Sequence, residues 1–320
     1  MIRRRFSSLL AGTLTLGLLL SLLPAAAPAQ SVEQPKDPSG AVADSATGWT
    51  YDATAGLNAS QAAYKNWEEG AGNNSLAFSA GIYGQAAKRG EHWIQLHEIQ
   101  LDFGIIDQEE QELRKAEDLI QLNTSLRYDG DGFFHIFNPT IAGNLRTQFA
   151  KGFDYTENPF DGEVESGDPR LNLDTPVQTS EFFSPAFITE SIGLTYEPLT
   201  SVTFRLGAAS KQTVVLDRDY RVLYGVSESK NARVEAGAEF AAAVDRNLTE
   251  NIRYRSQLNA FYAANATEEP PDARWQNTIT LKVNDWLSTD LEFVALYDED
   301  ITNAIQLKET ISVGVSFALL

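Results

Sequence analysis

From Trp49 to the carboxyl end, the sequence repeatedly alternates apolar and polar residues one position at a time. The clearest stretch runs from Arg274 to Val283: the even-numbered positions are Arg, Gln, Thr, Thr and Lys, and the odd-numbered positions are Trp, Asn, Ile, Leu and Val. Successive side chains of a β-strand point to opposite faces, so this pattern predicts strands with one apolar face and one polar face. The chain is therefore expected to have an all-β fold.

The connections between the strands alternate in length along the chain. Twelve strands are predicted, at about 54–66, 75–87, 93–105, 118–128, 133–149, 186–196, 202–210, 232–244, 252–264, 273–283, 288–297 and 307–319. The connections after even-numbered strands are short: Lys88–His92, Asp129–Gly132, Glu197–Ser201, Asp245–Asn251 and Asn284–Leu287. The connections after odd-numbered strands are mostly longer: 67–74, 106–117, 150–185, 211–231, 265–272 and 298–306.

This sorting of connections is typical of one fold class. A bacterial outer-membrane barrel has an even number of antiparallel strands, with tight turns at one end and large loops at the other. A soluble sandwich has no reason to sort its connections in this way. We therefore expect a closed antiparallel transmembrane β-barrel of about 12 strands, and aromatic residues near many strand ends support it.

The first residues carry an export signal. Met1–Arg5 is positively charged, Leu9–Leu23 is apolar, and Ala25–Ala29 supplies small residues for a cleavage site after Ala29. Residues 1–29 are therefore predicted to be a cleaved signal peptide, residues 30–48 a disordered periplasmic leader, and residues 49–320 the barrel domain. The predicted location is the cell outer membrane.

Composition excludes several classes of function. With 25 Lys and Arg against 44 Asp and Glu, the formal charge is −19, which is unsuited to a nucleic-acid-binding protein. The chain has no cysteine, one methionine and three histidines, so disulfides, thiolate metal sites and cysteine nucleophiles are excluded. No phosphate-binding loop or metal-binding spacing is present, and we expect no cofactor and no metal site.

Particular motifs resemble a known family. They are Asn58-Ala-Ser60-Gln61, Asn66-Trp67, Gly70-Ala-Gly72-Asn-Asn74-Ser75, Leu145-Arg-Thr-Gln-Phe149, Gly152-Phe153, Ser184-Pro-Ala186, Tyr297-Asp-Glu-Asp300, Lys308-Glu309 and Gly314-Val-Ser316-Phe317. Together they resemble the secreted bacterial family known as domain of unknown function 3078, over essentially all of residues 49–320. The resemblance implies an outer-membrane barrel and brings no activity and no catalytic residues.

The polar faces of the predicted strands carry many charged side chains. The cationic residues are Arg127, Arg146, Arg205, Arg233, Arg253, Arg255, Arg274, Lys282 and Lys308, and the acidic residues are Glu98, Asp102, Glu235, Glu239, Asp290 and Glu292. These residues are expected to line the lumen. Two interpretations remain open: paired charges that fill the lumen as a rigid plug, or an arginine-rich path that favours anionic solutes.

Function is predicted only in outline. The chain is expected to be a narrow solute channel; the alternatives are a closed structural or surface-interaction barrel and a soluble periplasmic β-sandwich binding protein. Expected partners are outer-membrane lipid, the barrel-assembly machinery, small solutes, and divalent cations at the acidic loops. We do not expect an enzyme, because the only histidines, His92, His97 and His135, lie in no catalytic motif.

Overall fold

A computed structural model describes residues 48–62, 75–108, 113–268, 270–299 and 302–319. The predicted signal peptide and all of the predicted leader except Gly48 lie outside these residues. Within the described part of the chain, no helix is long and apolar enough to cross a membrane.

Fourteen strands and a few short helices make up the described chain. The strands are β1 (Trp49–Ala62), β2 (Ser75–Arg89), β3 (Trp93–Gln108), β4 (Arg114–Tyr128), β5 (Phe137–Thr147), β6 (Gly152–Asp154), β7 (Val177–Ser180), β8 (Ala186–Leu199), β9 (Val202–Val214), β10 (Ala232–Thr249), β11 (Ile252–Ala263), β12 (Asp272–Lys282), β13 (Leu287–Asp298) and β14 (Thr302–Ala318). The α-helical turn α1 is Phe133–Ile136, and two 3-10 helices span Pro169–Asn172 and Arg218–Tyr224.

Twelve of the strands close into one antiparallel barrel. Neighbours follow chain order except that β5 pairs with β8, because β6 and β7 form a separate two-stranded sheet between them. The barrel closes where β1 pairs with β14, from Thr54 opposite Ala318 to Ala59 opposite Val313. The predicted fold class is therefore confirmed, and the alternative of a β-sandwich is wrong, because the twelve strands belong to a single closed sheet.

All twelve predicted strands are present, but several limits differ. The stretch predicted as a strand from residue 133 begins as α1, and β5 starts at Phe137. β3 continues to Gln108, β9 to Val214 and β14 starts at Thr302, so these strands extend into connections predicted at 106–117, 211–231 and 298–306. Backbone pairing continues in these extensions, for example between Ser75 and Gln108 and between Ala186 and Val214, beyond the residues used to set the predicted limits.

The two ends of the barrel differ in their connections. At one end, which we call the turn end, residues 90–92, 129–136, 200–201, 250–251 and 283–286 link the strands. The opposite end, the loop end, carries the long connections 148–185 and 215–231. These two connections pack together there, and Phe160, Val177, Val215 and Val226 are almost completely buried.

The outer face of the barrel is apolar and the inner face is polar. On β2, Leu76, Phe78 and Ile82 point outward and are 37%, 50% and 44% exposed, whereas Ser79 and Gln85 point inward and are buried. This is the reverse of a soluble protein, where exposed strand faces are polar. It is the arrangement required when lipid surrounds the wall.

Aromatic rings cluster at the turn end. The centroids of Trp93 and Tyr128 lie 5.0 Å apart, and those of Phe137 and Tyr196 lie 5.2 Å apart. Trp49, from the start of β1, is 40% exposed and lies against His97. Amphipathic rings favour the depth of a membrane–water interface, so these residues have the position of an aromatic girdle.

Two glycines allow β8 and β9 to approach closely. Gly193 and Gly207 are register partners, and both face inward. A Cβ atom on Gly207 would lie 2.5 Å from the carbonyl oxygen of Ile192 and 2.9 Å from the Cα atom of Gly193. Neither contact can be relieved by a side-chain rotation, because both involve backbone atoms.

We therefore predict that Gly207→Ala destabilises the barrel by about 1–3 kcal/mol, because the added methyl group forces the two strands apart. On an SDS gel, the folded barrel of the unboiled protein runs as a compact band. In the Gly207→Ala variant this band should be lost at a lower temperature than in the wild type. Gly90→Ala is the control, since a Cβ atom there meets its nearest neighbour at an ordinary 3.5 Å. Equal heat resistance of the Gly207→Ala variant and the wild type would contradict the prediction.

Candidate functional site

The barrel encloses a cavity of about 460 Å³ lined by the inner faces of β2–β5 and β8–β13. Its lining includes Arg127, Ser201 and Asp245 near the turn end, and Lys211 and Asp298 near the loop end. Many other lining residues have small or uncharged polar side chains. Charged and polar groups therefore line the cavity together with small and apolar side chains, and the cavity runs along the barrel wall from one end toward the other.

The cavity lies off-centre in the lumen. Among the described residues, those that line it include none from β1 or β14. The lumen near β1 and β14 and their neighbours is filled by buried polar side chains: Asn58, Ser79, Gln85, Gln100, Asp102, Thr280, Ser288, Asp290, Glu292, Thr310 and Ser312. We call this group the packed sector, and the part of the lumen that holds the cavity the open sector.

Ion pairs cover the inner face of β9–β11 toward the turn end. Arg253 donates to both carboxylate oxygens of Asp245, at 2.7 and 2.5 Å, and Arg255 lies 3.5 Å from the same carboxylate. Arg205 donates to Glu239 at 2.8 Å. Bidentate pairs of this kind hold their side chains in one geometry, so they narrow the lumen without closing it.

The opposite wall at the turn end is paired in the same manner. Arg127 on β4 forms an ion pair with Glu197 at the end of β8. On the neighbouring strands, the Tyr83 hydroxyl donates to Glu98 at 2.6 Å. The charged groups of this region therefore hold one another and leave few free hydrogen-bond donors for a solute.

A second charged group lies at the loop end of the same wall. The Lys211 ammonium is 2.5 Å from Asp272, 3.4 Å from Asp298 and 3.8 Å from Glu235. Arg233 pairs with Glu235 at 3.2 Å. One lysine thus joins strands β9, β10, β12 and β13 around the cavity.

One further set of charged contacts, made by Lys308, crosses the lumen. Lys308 on β14 lies 3.8 Å from Glu117 on β4 and 3.8 Å from Glu292 on β13. β14 and β4 are separated in the sheet by three strands, so this contact spans the interior rather than following the wall. We call Lys308, Glu117 and Glu292 the cross-lumen bridge.

The remaining predicted site residues lie in both sectors. Asp102 and Asp290 belong to the packed sector, where Gln100 donates to Asp102 at 2.7 Å and Thr280 to Asp290 at 2.5 Å. The predicted lumen residues that line the cavity are Glu98, Arg127, Arg146, Arg205, Glu239, Arg255 and Arg274.

Sequence reasoning missed several carboxylates and one lysine. Glu117, Lys211, Asp245, Asp272 and Asp298 were placed in connections, whereas they lie on strands and form the contacts described above. They offset the excess of arginine and lysine inferred from the shorter strands. Their continued alternation with neighbouring residues was the available signal, since Lys211 and Thr213 keep the parity of Arg205.

The histidines stand apart from the lumen. His97 points outward on β3, 2.8 Å from the Thr124 hydroxyl, and His135 lies in α1, 3.1 Å from Asp129. His92 is in the turn after β2. Among the described residues, no group of three or more His, Cys, Asp or Glu side chains is arranged to hold a metal ion.

A clamp joins the two long connections at the loop end. Arg170 donates to both carboxylate oxygens of Asp168, at 3.0 and 2.8 Å, and to Glu228 on the other connection. These hydrogen bonds from Arg170 bring the pKa of Asp168 down to about 2. Hydrogen bonds from Arg170 and Arg218 lower the pKa of Glu228. We call Asp168, Arg170 and Glu228 the loop clamp.

Comparison with known proteins bears on the family and the fold. Residues 59–153 match the model of the family described as protein of unknown function (DUF3078). The predicted resemblance is thereby confirmed over this range. No curated protein matches the sequence significantly.

Several solved outer-membrane barrels are similar to the chain. The translocator domain of the autotransporter NalP from Neisseria meningitidis has 10% identity and a TM-score of 0.38, with 87% of this chain and 91% of that chain covered. The COG4313 outer membrane channel from Pseudomonas putida F1 has 10% identity and a TM-score of 0.39, with 89% and 99% covered. The NanC porin has 8% identity and a TM-score of 0.34, with 83% and 98% covered.

The loop clamp gives a prediction on pH. Both carboxylates have pKa values below their ordinary values of 3.8 and 4.5, so the clamp stabilises the folded connections fully above those values. This contribution is lost as the pH falls toward about 2. Because the chain has no cysteine, a fluorophore on Lys230→Cys reports this region alone, and its anisotropy should fall on acidification.

Arg170→Gln should lower the anisotropy of the same label already at neutral pH, because it removes the guanidinium hydrogen bonds to Asp168 and Glu228. A label on Glu91→Cys, in the turn after β2, is the matched control and should not change. An unchanged signal at residue 230 in the Arg170→Gln variant would show that the clamp does not hold the connections together.

Proposed function

We propose that this protein is an outer-membrane β-barrel that conducts small polar solutes through its open sector. The observation that carries the proposal is the cavity with charged groups along its length, which follows the wall from Arg127 and Asp245 toward Lys211 and Asp298. A barrel that served only as a scaffold would gain more stability from filling this space, because well-packed interiors leave few voids. The cavity therefore favours transport over a purely structural role.

Membrane insertion is supported by the outer surface. Large apolar side chains such as Leu206, Ile192 and Leu307 are more than 60% exposed on the outer face. Contiguous apolar surface of this extent does not remain in contact with water in a soluble monomer. Together with the aromatic residues at the turn end, this supports placement of the turn end in the periplasm and of the long connections outside the cell. Export by a signal peptide cleaved after Ala29 belongs to the same proposal.

The size and lining of the cavity limit what it passes. A volume of about 460 Å³ along the barrel corresponds to a narrow path. Ion pairs and amide groups line it, and these groups replace part of the hydration shell of a small polar solute. The proposed cargo is accordingly small and hydrophilic, and the charged side chains that line the path set its charge preference.

The second candidate function, a closed barrel, is favoured by the cross-lumen bridge. Lys308 spans the interior between β13 and β4 at the level of Glu117 and Glu292. A bridge of this kind obstructs the lumen where it crosses and ties opposite walls together. If the barrel is closed in this way, the cavity is a water-filled space that ends at the cross-lumen bridge.

Bilayer recordings test the channel directly. The full-length protein in a planar bilayer should show single-channel conductance, and Arg255→Glu should lower the ratio of anion to cation permeability. One unit charge about 4 Å from an ion in water contributes about 1 kcal/mol. Reversal should therefore change the ratio about fivefold or more. Lys230→Glu is the control, because Lys230 is exposed in a long connection.

Arg255→Gln, a milder variant, should shift the ratio in the same direction by a smaller amount. A retained heat-dependent gel shift shows that each variant is folded. A silent bilayer with correctly folded wild-type protein would refute the channel. A permeability ratio that changes equally in Lys230→Glu would remove Arg255 from the path.

The cross-lumen bridge gives a separate prediction that distinguishes the two functions. Lys308→Met removes the charge that joins Glu117 and Glu292, and repulsion between these carboxylates should widen the lumen. Single-channel conductance should rise above that of the wild type. Lys282→Met is the matched control, because Lys282 pairs at 3.2 Å with the fully exposed Asp285 in a turn. A silent wild type with a conducting Lys308→Met variant would establish the closed barrel instead.

A further inference from the structure

Arg146 occupies an unusual position among the arginines of the lumen. It lies on the inner face of β5, between Gln121 of β4 and Phe187 of β8, and lines the cavity. Within the part of the chain that the structure describes, its guanidinium forms no hydrogen bond and no ion pair. A guanidinium carries five N–H donors, and those of Arg146 face the cavity rather than a protein acceptor.

Arg274 supplies a second guanidinium to the same space. It lies on the inner face of β12, where its register partner on β11 is Asn259, and it also lines the cavity. Its guanidinium donates a hydrogen bond to the Gln276 side-chain oxygen at 3.4 Å. β5 and β12 are not neighbours in the sheet, and the two guanidinium groups lie in the lining of one cavity.

The carboxylates nearest to these arginines are held by other groups. Glu117 lies 3.8 Å from Lys308, and Asp298 lies 3.4 Å from Lys211. Glu292 accepts a hydrogen bond from Gln276 at 2.6 Å. The protein thus leaves the hydrogen-bonding capacity of Arg146, and most of that of Arg274, directed at the cavity.

The other arginines of this wall lack that property. Arg253 is bound in a bidentate pair with Asp245, and Arg205 and Arg127 donate to Glu239 and Glu197. A solute would have to break an ion pair to reach any of them, at a cost in free energy. Arg146 and Arg274 require no such exchange.

Uncharged donors complete the surroundings. Side chains that carry amide N–H₂ groups line the cavity on the strands of the two arginines and on the strands next to them: Gln121, Asn144, Asn259 and Gln276. A planar oxyanion matches such a set, since guanidinium groups bind carboxylates through two parallel N–H···O bonds and amides donate to the remaining lone pairs.

We propose that Arg146 and Arg274 form a binding site for a small oxyanion, with carboxylate as the preferred group, toward the loop end of the cavity. The inference rests on the proposed function, because the solute reaches the site through the open sector. The site concentrates anions inside the lumen and selects them over cations. Its ligand chemistry is that of short-chain carboxylates, with inorganic phosphate as the other source of the same oxygen atoms.

Isothermal titration of the folded full-length protein in detergent tests the site. Succinate and inorganic phosphate are the two probes. Saturable binding of succinate is expected, and Arg146→Gln and Arg274→Gln should each weaken it about tenfold or more, because each removes charge-assisted hydrogen bonds. Arg246→Gln is the matched control, since this exposed arginine lies on the outer face of β10 and its loss changes the net charge equally.

Arg146→Lys separates hydrogen bonding from charge. Lysine keeps the charge without the bidentate geometry, so binding should fall between the wild type and Arg146→Gln. Each variant is first shown to keep its heat-dependent gel shift. Absence of succinate binding in the wild type, or equal weakening by Arg246→Gln, overturns the proposal. Phosphate bound more tightly than succinate overturns the preference for carboxylate.

Bilayer recordings distinguish failure of this site from failure of the channel. Conductance without succinate binding would leave the channel in place and remove the oxyanion site. Succinate binding that depends on Arg146 in a silent barrel would keep the site and remove the channel. Block of the conductance by succinate, reduced in Arg146→Gln, would support both together.

Discussion

Closure of the backbone hydrogen-bond ladder between β1 and β14 is the constraint on which the structure depends. A strand edge left open in lipid would expose unpaired N–H and C=O groups, each at a cost of several kcal/mol. The pairing from Thr54–Ala318 to Ala59–Val313 joins the first and last strands, so all twelve barrel strands have two neighbours. Once the sheet is closed, every second side chain must point into a lumen whose width is set by the number of strands. The packed sector, the open sector and the ion pairs are different ways of filling that lumen.

The fold could be predicted for the parts of the strands that have lipid on one face and the polar lumen on the other. Lipid outside and water or polar groups inside impose the alternation, and this identified the number and order of the strands. Strand limits could not be predicted beyond the apolar zone. Lys211 and Thr213 continue β9 beyond its predicted end at residue 210, and Gln212 stands between them where the alternation would place an apolar residue. The aromatic residues Phe133 and Phe134 suggested a strand and form α1 instead, where both are exposed at the turn end.

The sequence predicted which residues face the lumen, but it did not predict which of them contact one another. Parity along each strand was enough to assign Arg146, Arg205 and Arg274 to the inner face. It could not show which inner residues meet, because that depends on which strands oppose each other after closure. The contact between Lys308 and Glu117 joins residues far apart in sequence and in the sheet. Likewise, no local pattern separates Arg205, which has a carboxylate partner, from Arg146, which faces the cavity.

The off-centre cavity also separates two mechanical roles around one circumference. Side chains near the β1–β14 seam interlock and hold that arc together, whereas the cavity that the proposed solute would use lies away from the seam. Under the proposed function, substitutions on β5, β9 and β11 change the solute selectivity without disturbing the side chains near the β1–β14 seam that hold the barrel closed. For nanopore engineering, such a barrel separates the wall that would contact an analyte from the wall that maintains the structure.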